Sequence, residues 1–193
     1  MYQIKELLPE LLPLLPGCES PVALQAIRAA GREFARESGA YLAAHQEELA
    51  ESVEAVCVAV PEDAVIFRIN RVFSGKRMLA PRSYRLDPAN HTRVLLDKPT
   101  GRKGEVIRVE YSMLPTPLCN AYTEEFFNRY WEAVKAKALA ELFAMPQKPW
   151  SNGELSSYHR AAYLRFRAEA IEEMESAGKP LDQHCTITGA RFF

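Results

Sequence analysis

The order of hydrophobic periods along the chain predicts an α+β protein. The expected architecture is a helical bundle built on an antiparallel helical hairpin, with an inserted antiparallel β-subdomain and an extended C-terminal arm. Three observations carry that expectation. Residues 123–150 place Phe127, Tyr130, Trp131, Val134, Ala138 and Leu142 at helical spacing. From Ser52 the period changes to two and stays so, with interruptions, to Met113. Strands grouped between helical runs argue for α+β rather than a parallel α/β sheet. The chain of 193 residues divides on this reading into a helical part (1–51), a β-insertion (52–114), a helical hairpin (115–178) and an arm (179–193).

Residues 1–16 are leucine-rich and divided by Pro9, Pro13 and Pro16, so short helical turns over a core are expected. Glu6, Glu10 and the prolines argue against a secretion signal or a membrane span. Ser20-Pro21 reads as an N-cap followed by proline at the first helical position. Val22, Leu24, Ile27, Ala30 and Phe34 continue that helix to about Ser38-Gly39, with an extension or second turn through Tyr41 and Leu42. Gly31 inside it costs about 1 kcal/mol relative to alanine, which suggests that a neighbouring helix, 123–145, packs close there. Val53 to Val60 predicts a strand. Val65, Phe67 and Ile69 are expected on one face of the next strand and Arg68 and Arg71 on the other. Ser74-Gly75 predicts a hairpin returning through Leu79. Residues 80–93 read as irregular, Val94–Leu96 as a short strand, and Glu105–Met113 as a strand stopped by Pro115 and Pro117.

The long helix starts at Thr123, a good N-cap followed by Glu124 and Glu125 where a helix N-terminus favours negative charge. Pro146 stops it. Ser151-Asn152-Gly153-Glu154 fits an S-x-x-E capping box, with Trp150 and Leu155 placed as a hydrophobic staple. That makes Pro146, Trp150, Ser151 and Glu154 the structural junction, with Trp150 expected to be buried.

Composition limits the functional classes. The chain is 48% hydrophobic and 25% charged, as in a soluble globular protein. Its net charge of −1 is not that of a bulk polyanion binder. Cys18, Cys57, Cys119 and Cys185 form no C-x-x-C pair, which argues against a zinc ribbon and a disulfide framework. His45, His91, His159 and His184 lack metal-binding spacing, and His184-Cys185 alone does not make a site. There is no G-x-S-x-G elbow. Gly101-Arg102-Lys103-Gly104 lacks the length and ending of a phosphate loop. Glu124/Glu125 and Glu172/Glu173 read as solvated carboxylates, and Arg160, Arg165 and Arg167 as the polar side of the last helix. No catalytic role and no cofactor are expected.

Charge is unevenly spread. Residues 1–67 hold 4 Lys/Arg against 11 Asp/Glu, whereas residues 68–104 hold 10 Lys/Arg against 2 Asp.

Leu15-Pro16-Gly17-Cys18 and Ala144-Met145-Pro146-Gln147-Lys148-Pro149-Trp150-Ser151-Asn152, with the helix between 20 and 38, resemble a family of tailed-bacteriophage adaptor proteins. These are head-to-tail connectors related in layout to tail tubular proteins. The family pattern has a Leu-Pro-Gly-Cys-Pro opening, an Ala-Arg-Glu-Phe helix, a variable β-region and an Ala-Met-Pro-x-Lys-Pro-Trp-Ser-Asn junction. Glu19 stands where proline is usual. The β-region matches only in kind, and the resemblance spans most of residues 4–176. It implies a homo-oligomeric ring, expected as a dodecamer, made in the host cytoplasm and seated in the virion neck. Its partners would be the portal protein, a downstream tail or nozzle protein and double-stranded DNA in passage, with no membrane. Such a ring closes by heterologous contacts. Acidic Glu33, Glu37, Glu47 and Glu48 are expected to meet basic Arg68, Arg71, Lys76, Arg77, Arg102 and Lys103 across it. The arm, ending in Arg191, Phe192 and Phe193, is expected to be disordered in the free subunit and to dock on the portal or an adjacent subunit. The competing expectation is a nucleic-acid-binding regulator using residues 68–104.

Overall fold

The computed structural model describes residues 2–177, and these form an α+β fold around one continuous apolar core. The arm expected over 179–193, with Arg191, Phe192 and Phe193, lies outside the described residues. The chain opens with a short strand β1 (Tyr2–Gln3), a 3-10 turn, the short helix α1 (Leu8–Leu11) and a second 3-10 turn. Ile4, Leu7, Leu11 and Leu15 are buried, so the proline-divided leucines do cover a core.

Helix α2 (Ser20–Ser38) has Glu19, not Ser20, at the N-cap position, and it ends sharply. Gly39 takes a left-handed φ of 68°, and its N–H donates to the Ala35 carbonyl at 3.0 Å. The expected helical extension through Leu42 is therefore wrong. Left-handed Gly39 redirects the backbone into β2 (Leu42–Glu48), a strand inside the stretch read as helical.

The β-part continues as β3 (Val53–Cys57), β4 (Ala64–Ser74), β5 (Arg77–Met78), β6 (Tyr84–Leu86), β7 (Arg93–Thr100) and β8 (Val106–Pro115). All pairings are antiparallel, in a four-stranded sheet ordered β2-β8-β4-β5 and a three-stranded sheet ordered β3-β7-β6. Val72, Ile107, Val109 and Tyr111 of the first sheet and Val56, Val94 and Leu96 of the second are buried in the same core. The Tyr111 hydroxyl donates to the Ala59 carbonyl at 3.0 Å, from β8 to the end of the β3 segment. β8 alternates in burial to Glu110 and is then buried without a break to Pro115, as expected for a strand covered on both faces. β4 corrects the expected facing. Two register shifts, between Ile66 and Arg68 and between Ile69 and Arg71, interrupt the alternation, so Ile69 packs against the core out of phase with Val65 and Phe67. Val65 and Phe67 are exposed, while Ile66 and Val72 are buried.

After β9 (Ala121–Tyr122), which pairs with β1, helix α3 (Glu124–Ala144) begins as expected. The Thr123 side chain accepts from the Phe126 N–H at 3.4 Å. α3 buries more than the predicted stripe. Phe126, Leu139 and Phe143 join it, while Phe127 is half-buried and stacks on Tyr2 with ring centroids 4.3 Å apart. Phe126 sits within 6.0 Å of Phe34, 4.7 Å of Tyr41 and 5.3 Å of Tyr122, tying α2 and the sheet to α3.

Helix α4 (Gly153–Ala177) runs antiparallel to α3. The Ser156 hydroxyl donates to the Ala140 carbonyl at 2.8 Å, and the Tyr130 hydroxyl to Glu173 at 2.9 Å. The junction between them is tight, with Gln147 at a φ of 58° after Pro146. Trp150 is buried at 7% exposure, as expected, but by a different device from the one predicted. Asn152, not Ser151, caps α4: its Oδ1 accepts from the N–H groups of Glu154 and Leu155, both at 3.0 Å. Ser151 instead accepts from the Lys148 N–H at 3.1 Å and donates to the Met145 carbonyl. Leu155 is 41% exposed, so there is no staple.

Candidate functional site

No group of three or more His, Cys, Asp or Glu side chains among the described residues is arranged to hold a metal ion. No described helix is long and apolar enough to cross a membrane. The features with functional chemistry are charged surfaces, and strand order decides how they are arranged.

β2 and β3 are edge strands of their respective sheets, joined by the short turn 49–52. They therefore lie on one side of the β-part. β5 and β6 are the opposite edges, joined by residues 79–83. The early edges carry Glu47, Glu48, Glu51 and Glu54, all exposed. The late edges and their connection carry Lys76, Arg77, Arg82 and Arg85, also exposed. The charge segregation of the sequence thus becomes an acidic flank and a basic flank on opposite edges of the same two sheets. Glu47 lies 3.8 Å from His45, and Arg85 lies 3.6 Å from Asp97. No ion-pair partner is present for Glu48, Lys76 or Arg77 among the described residues.

The remaining expected interface residues are dispersed. Arg102 and Lys103 are exposed on the turn between β7 and β8, at the tip of the β-part. That turn folds onto the end of β2: the Gly104 N–H donates to the Leu49 carbonyl at 2.8 Å. These two cations therefore sit beside the acidic flank, not opposite it.

Glu33 and Glu37 are not on either flank. They project from α2 into the contact with α3 and α4. Glu33 accepts from Lys137 at 2.7 Å, and Lys137 also pairs with Glu141 at 3.1 Å. Glu37 accepts from the Tyr163 hydroxyl at 2.6 Å and from Arg167 at 3.0 Å. Burial works to raise the Glu37 carboxyl, but the hydrogen bonds from Tyr163 and Arg167 and the charges of Arg167 and Lys137 outweigh it, holding the group below its ordinary value. These two acids serve the fold of their own chain.

Arg68 and Arg71 lie on a third surface. A groove of about 620 Å³ opens between the outer face of the four-stranded sheet and the ends of α3 and α4. The Arg68 guanidinium lies over Gly39, where an added Cβ would stand 2.4 Å from its Nη2. Its Nε donates to Asn70 at 3.1 Å, and Asn70 in turn donates to Ser112 at 3.0 Å. The buried Ser112 hydroxyl donates to the Gly39 carbonyl at 2.8 Å. Glu110 gathers Arg108 at 2.6 Å and Arg71 at 3.8 Å.

Of the charged residues on the two flanks, the interface set expected from the sequence includes Glu47, Glu48, Lys76 and Arg77 and leaves out Glu51, Glu54, Arg82 and Arg85. The available signal was the same charge segregation; the missing information was which strands form edges. Nothing in the sequence announced the groove, because β2 itself was unrecognised.

No protein-family model matches the chain, and no curated protein matches it.

Proposed function

We propose that the protein is a structural virion component, a head-to-tail adaptor. It forms a homo-oligomeric ring below the portal, joins capsid to tail and leaves a bore for the genome. On this reading the helices form a bundle into which the β-part is inserted. The observation that carries the proposal is the pair of opposed flanks. A head-to-tail ring needs two different, complementary surfaces on one subunit, because each copy meets the next by a heterologous contact. Glu47 and Glu48 of one copy meeting Lys76 and Arg77 of the next satisfies that need. The resemblance at residues 15–18 and 144–152 supplies the connection to a virion neck, a portal and a tail or nozzle protein. Complementary charge fixes register and encounter more than it supplies affinity.

Charge reversal tests the pairing. Glu47→Lys/Glu48→Lys and Lys76→Glu/Arg77→Glu should each weaken self-association in sedimentation velocity, and the fourfold variant should recover it. Self-association unaffected by either pair, or no recovery in the fourfold variant, removes the flanks from the interface.

The alternative is a nucleic-acid-binding regulator. It is favoured by Lys76, Arg77, Arg102 and Lys103, which are exposed and have no ion-pair partners among the described residues. Four phosphate contacts would give a slope of log affinity against log salt of about −3.6. A slope near zero on duplex DNA sets this reading aside.

A further inference from the structure

β2 and β5 are the two edges of the four-stranded sheet, and hydrogen bonds near each strand fix which of its backbone groups are already used. The Met113 N–H donates to the Tyr41 carbonyl at 2.6 Å and the Leu49 N–H to the Glu105 carbonyl at 2.9 Å. Continued to both ends, the β2–β8 register sets Tyr41 opposite Met113 and Leu49 opposite Glu105. Bonded pairs of an antiparallel ladder recur at every second residue. Residues 41, 43, 45, 47 and 49 therefore turn N–H and C=O toward β8, while Ala44, Gln46 and Glu48 turn theirs to the open edge. On the other edge the Leu79 N–H donates to the Val72 carbonyl at 2.8 Å, and Met78 is paired with Phe73. Met78 therefore turns its N–H and C=O away from β4, and Ala80 keeps the edge extended. Ala44, Gln46, Glu48 and Met78 are exposed. An open ladder of this kind is a template for a further strand.

We infer that β5 of a second copy adds as a fifth strand to the open edge of β2, antiparallel, with Gln46 opposite Met78. This placement rests on the ring reading above and gives the flank contact a main-chain component. Direction permits it. The strands β2, β8, β4 and β5 alternate in direction, so a copy set edge to edge brings its β5 antiparallel to β2. Hydrogen bonding permits it. Gln46 and Met78 each hold an unused N–H and C=O on the meeting edges, so the two residues exchange a pair of bonds. Charge selects the register. With Gln46 opposite Met78, Glu47 falls opposite Arg77 and Glu48 opposite Lys76, so both acids meet both bases at once. The same register continues a row already present in the sheet. Gln46 lies opposite Arg108, Arg108 opposite Phe73, and Phe73 opposite Met78. The row thus meets its own first residue in the next copy, with no slip along the strands. A slip at every contact would offset each copy from the last and lead to a spiral, whereas a repeat without slip suits a closed ring.

Hydrogen exchange of the full chain, resolved to single amides by electron-transfer fragmentation, tests this in dilute and in self-associated protein. Self-association should slow the Gln46 and Met78 amides at least tenfold and leave those of His45 and Glu47, already bonded to β8, unchanged. Met78→Pro removes only an outward N–H, which an edge strand tolerates, and should weaken self-association at least tenfold in sedimentation velocity. Met78→Ala keeps the N–H and should leave self-association close to that of the parent. Self-association that yields to the charge reversals at 47, 48, 76 and 77 but leaves the Gln46 and Met78 amides equally fast overturns the strand pairing and leaves the flank contact standing. Equal weakening by Met78→Pro and Met78→Ala overturns the main-chain role as well. A chain that stays monomeric at every concentration overturns the ring reading and this pairing with it.

Discussion

Gly31→Ala is the sharpest test of how the helices meet the sheet. In most helix interiors this change gains about 1 kcal/mol of propensity. Here the added Cβ would stand 1.9 Å from the Tyr122 hydroxyl oxygen and 2.6 Å from its Cζ. Tyr122 cannot simply swing away. It is 1% exposed, packed against Tyr41 and Phe126, and its hydroxyl donates to the Ile27 carbonyl at 3.2 Å. Overpacking of a filled core costs about 1–3 kcal/mol. Losing the buried hydroxyl's acceptor costs a further 1–3 kcal/mol or so. Setting the propensity gain against these leaves a net destabilisation of about 1–5 kcal/mol. For a chain of this size each kcal/mol lowers Tm by roughly 2–4 °C. Urea unfolding with an unchanged m value measures the loss directly. Tyr122→Phe removes the nearest atom, so Gly31→Ala should cost less in that background than in the parent. A Gly31→Ala protein as stable as the parent, or more stable, would refute the close approach of Tyr122 to α2.

Two further outcomes follow from the packing. Trp150→Ala should cost about 3–5 kcal/mol, as for other large-to-small core changes; a neutral thermal melt would show that the indole is not part of the core. Glu37 should make the protein acid-sensitive. Its folded value lies below the ordinary 4.5, so its stabilisation is present above the unfolded value and is lost as pH falls through the folded one. The stability gap between parent and Glu37→Gln should thus be widest near neutrality and close on acidification; a gap independent of pH would exclude that contribution.

The helices were largely legible because their signals are local. Thr123 caps α3, Pro146 stops it and Gly39 ends α2, each through its own backbone chemistry. The capping box at 151–154 misled by one residue because Ser151 is engaged by Lys148 and Met145 within the turn, while Asn152, next to the first helical residue, caps the free N–H groups. Gly31 was correctly read as a point of close approach, yet what approaches is the ring of Tyr122, a tertiary fact invisible to periodicity. β2 was missed for a physical reason. Leu42-Ala43-Ala44-His45-Gln46-Glu47-Glu48 is mostly small, polar or helix-favouring. It is held as a strand by pairing with β8 and not by its own pattern. Bulges in β4 likewise break the alternation, so Ile69 packs against the core while Val65 and Phe67, expected on the same face, are exposed. The charge segregation was plain in the sequence, but its meaning waited on strand order. Only the edges β2, β3, β5 and β6 convert early acid and later base into two flanks. Glu33 and Glu37 belong to the same acidic stretch and are instead taken up by Lys137, Tyr163 and Arg167.

Single-particle electron microscopy of the purified protein at high concentration tests the central claim most directly. Closed rings are expected, in which the β2–β3 flank of each copy faces the β5–β6 flank of the next. Monomers at every concentration, or two-fold dimers that join like flanks, would contradict it.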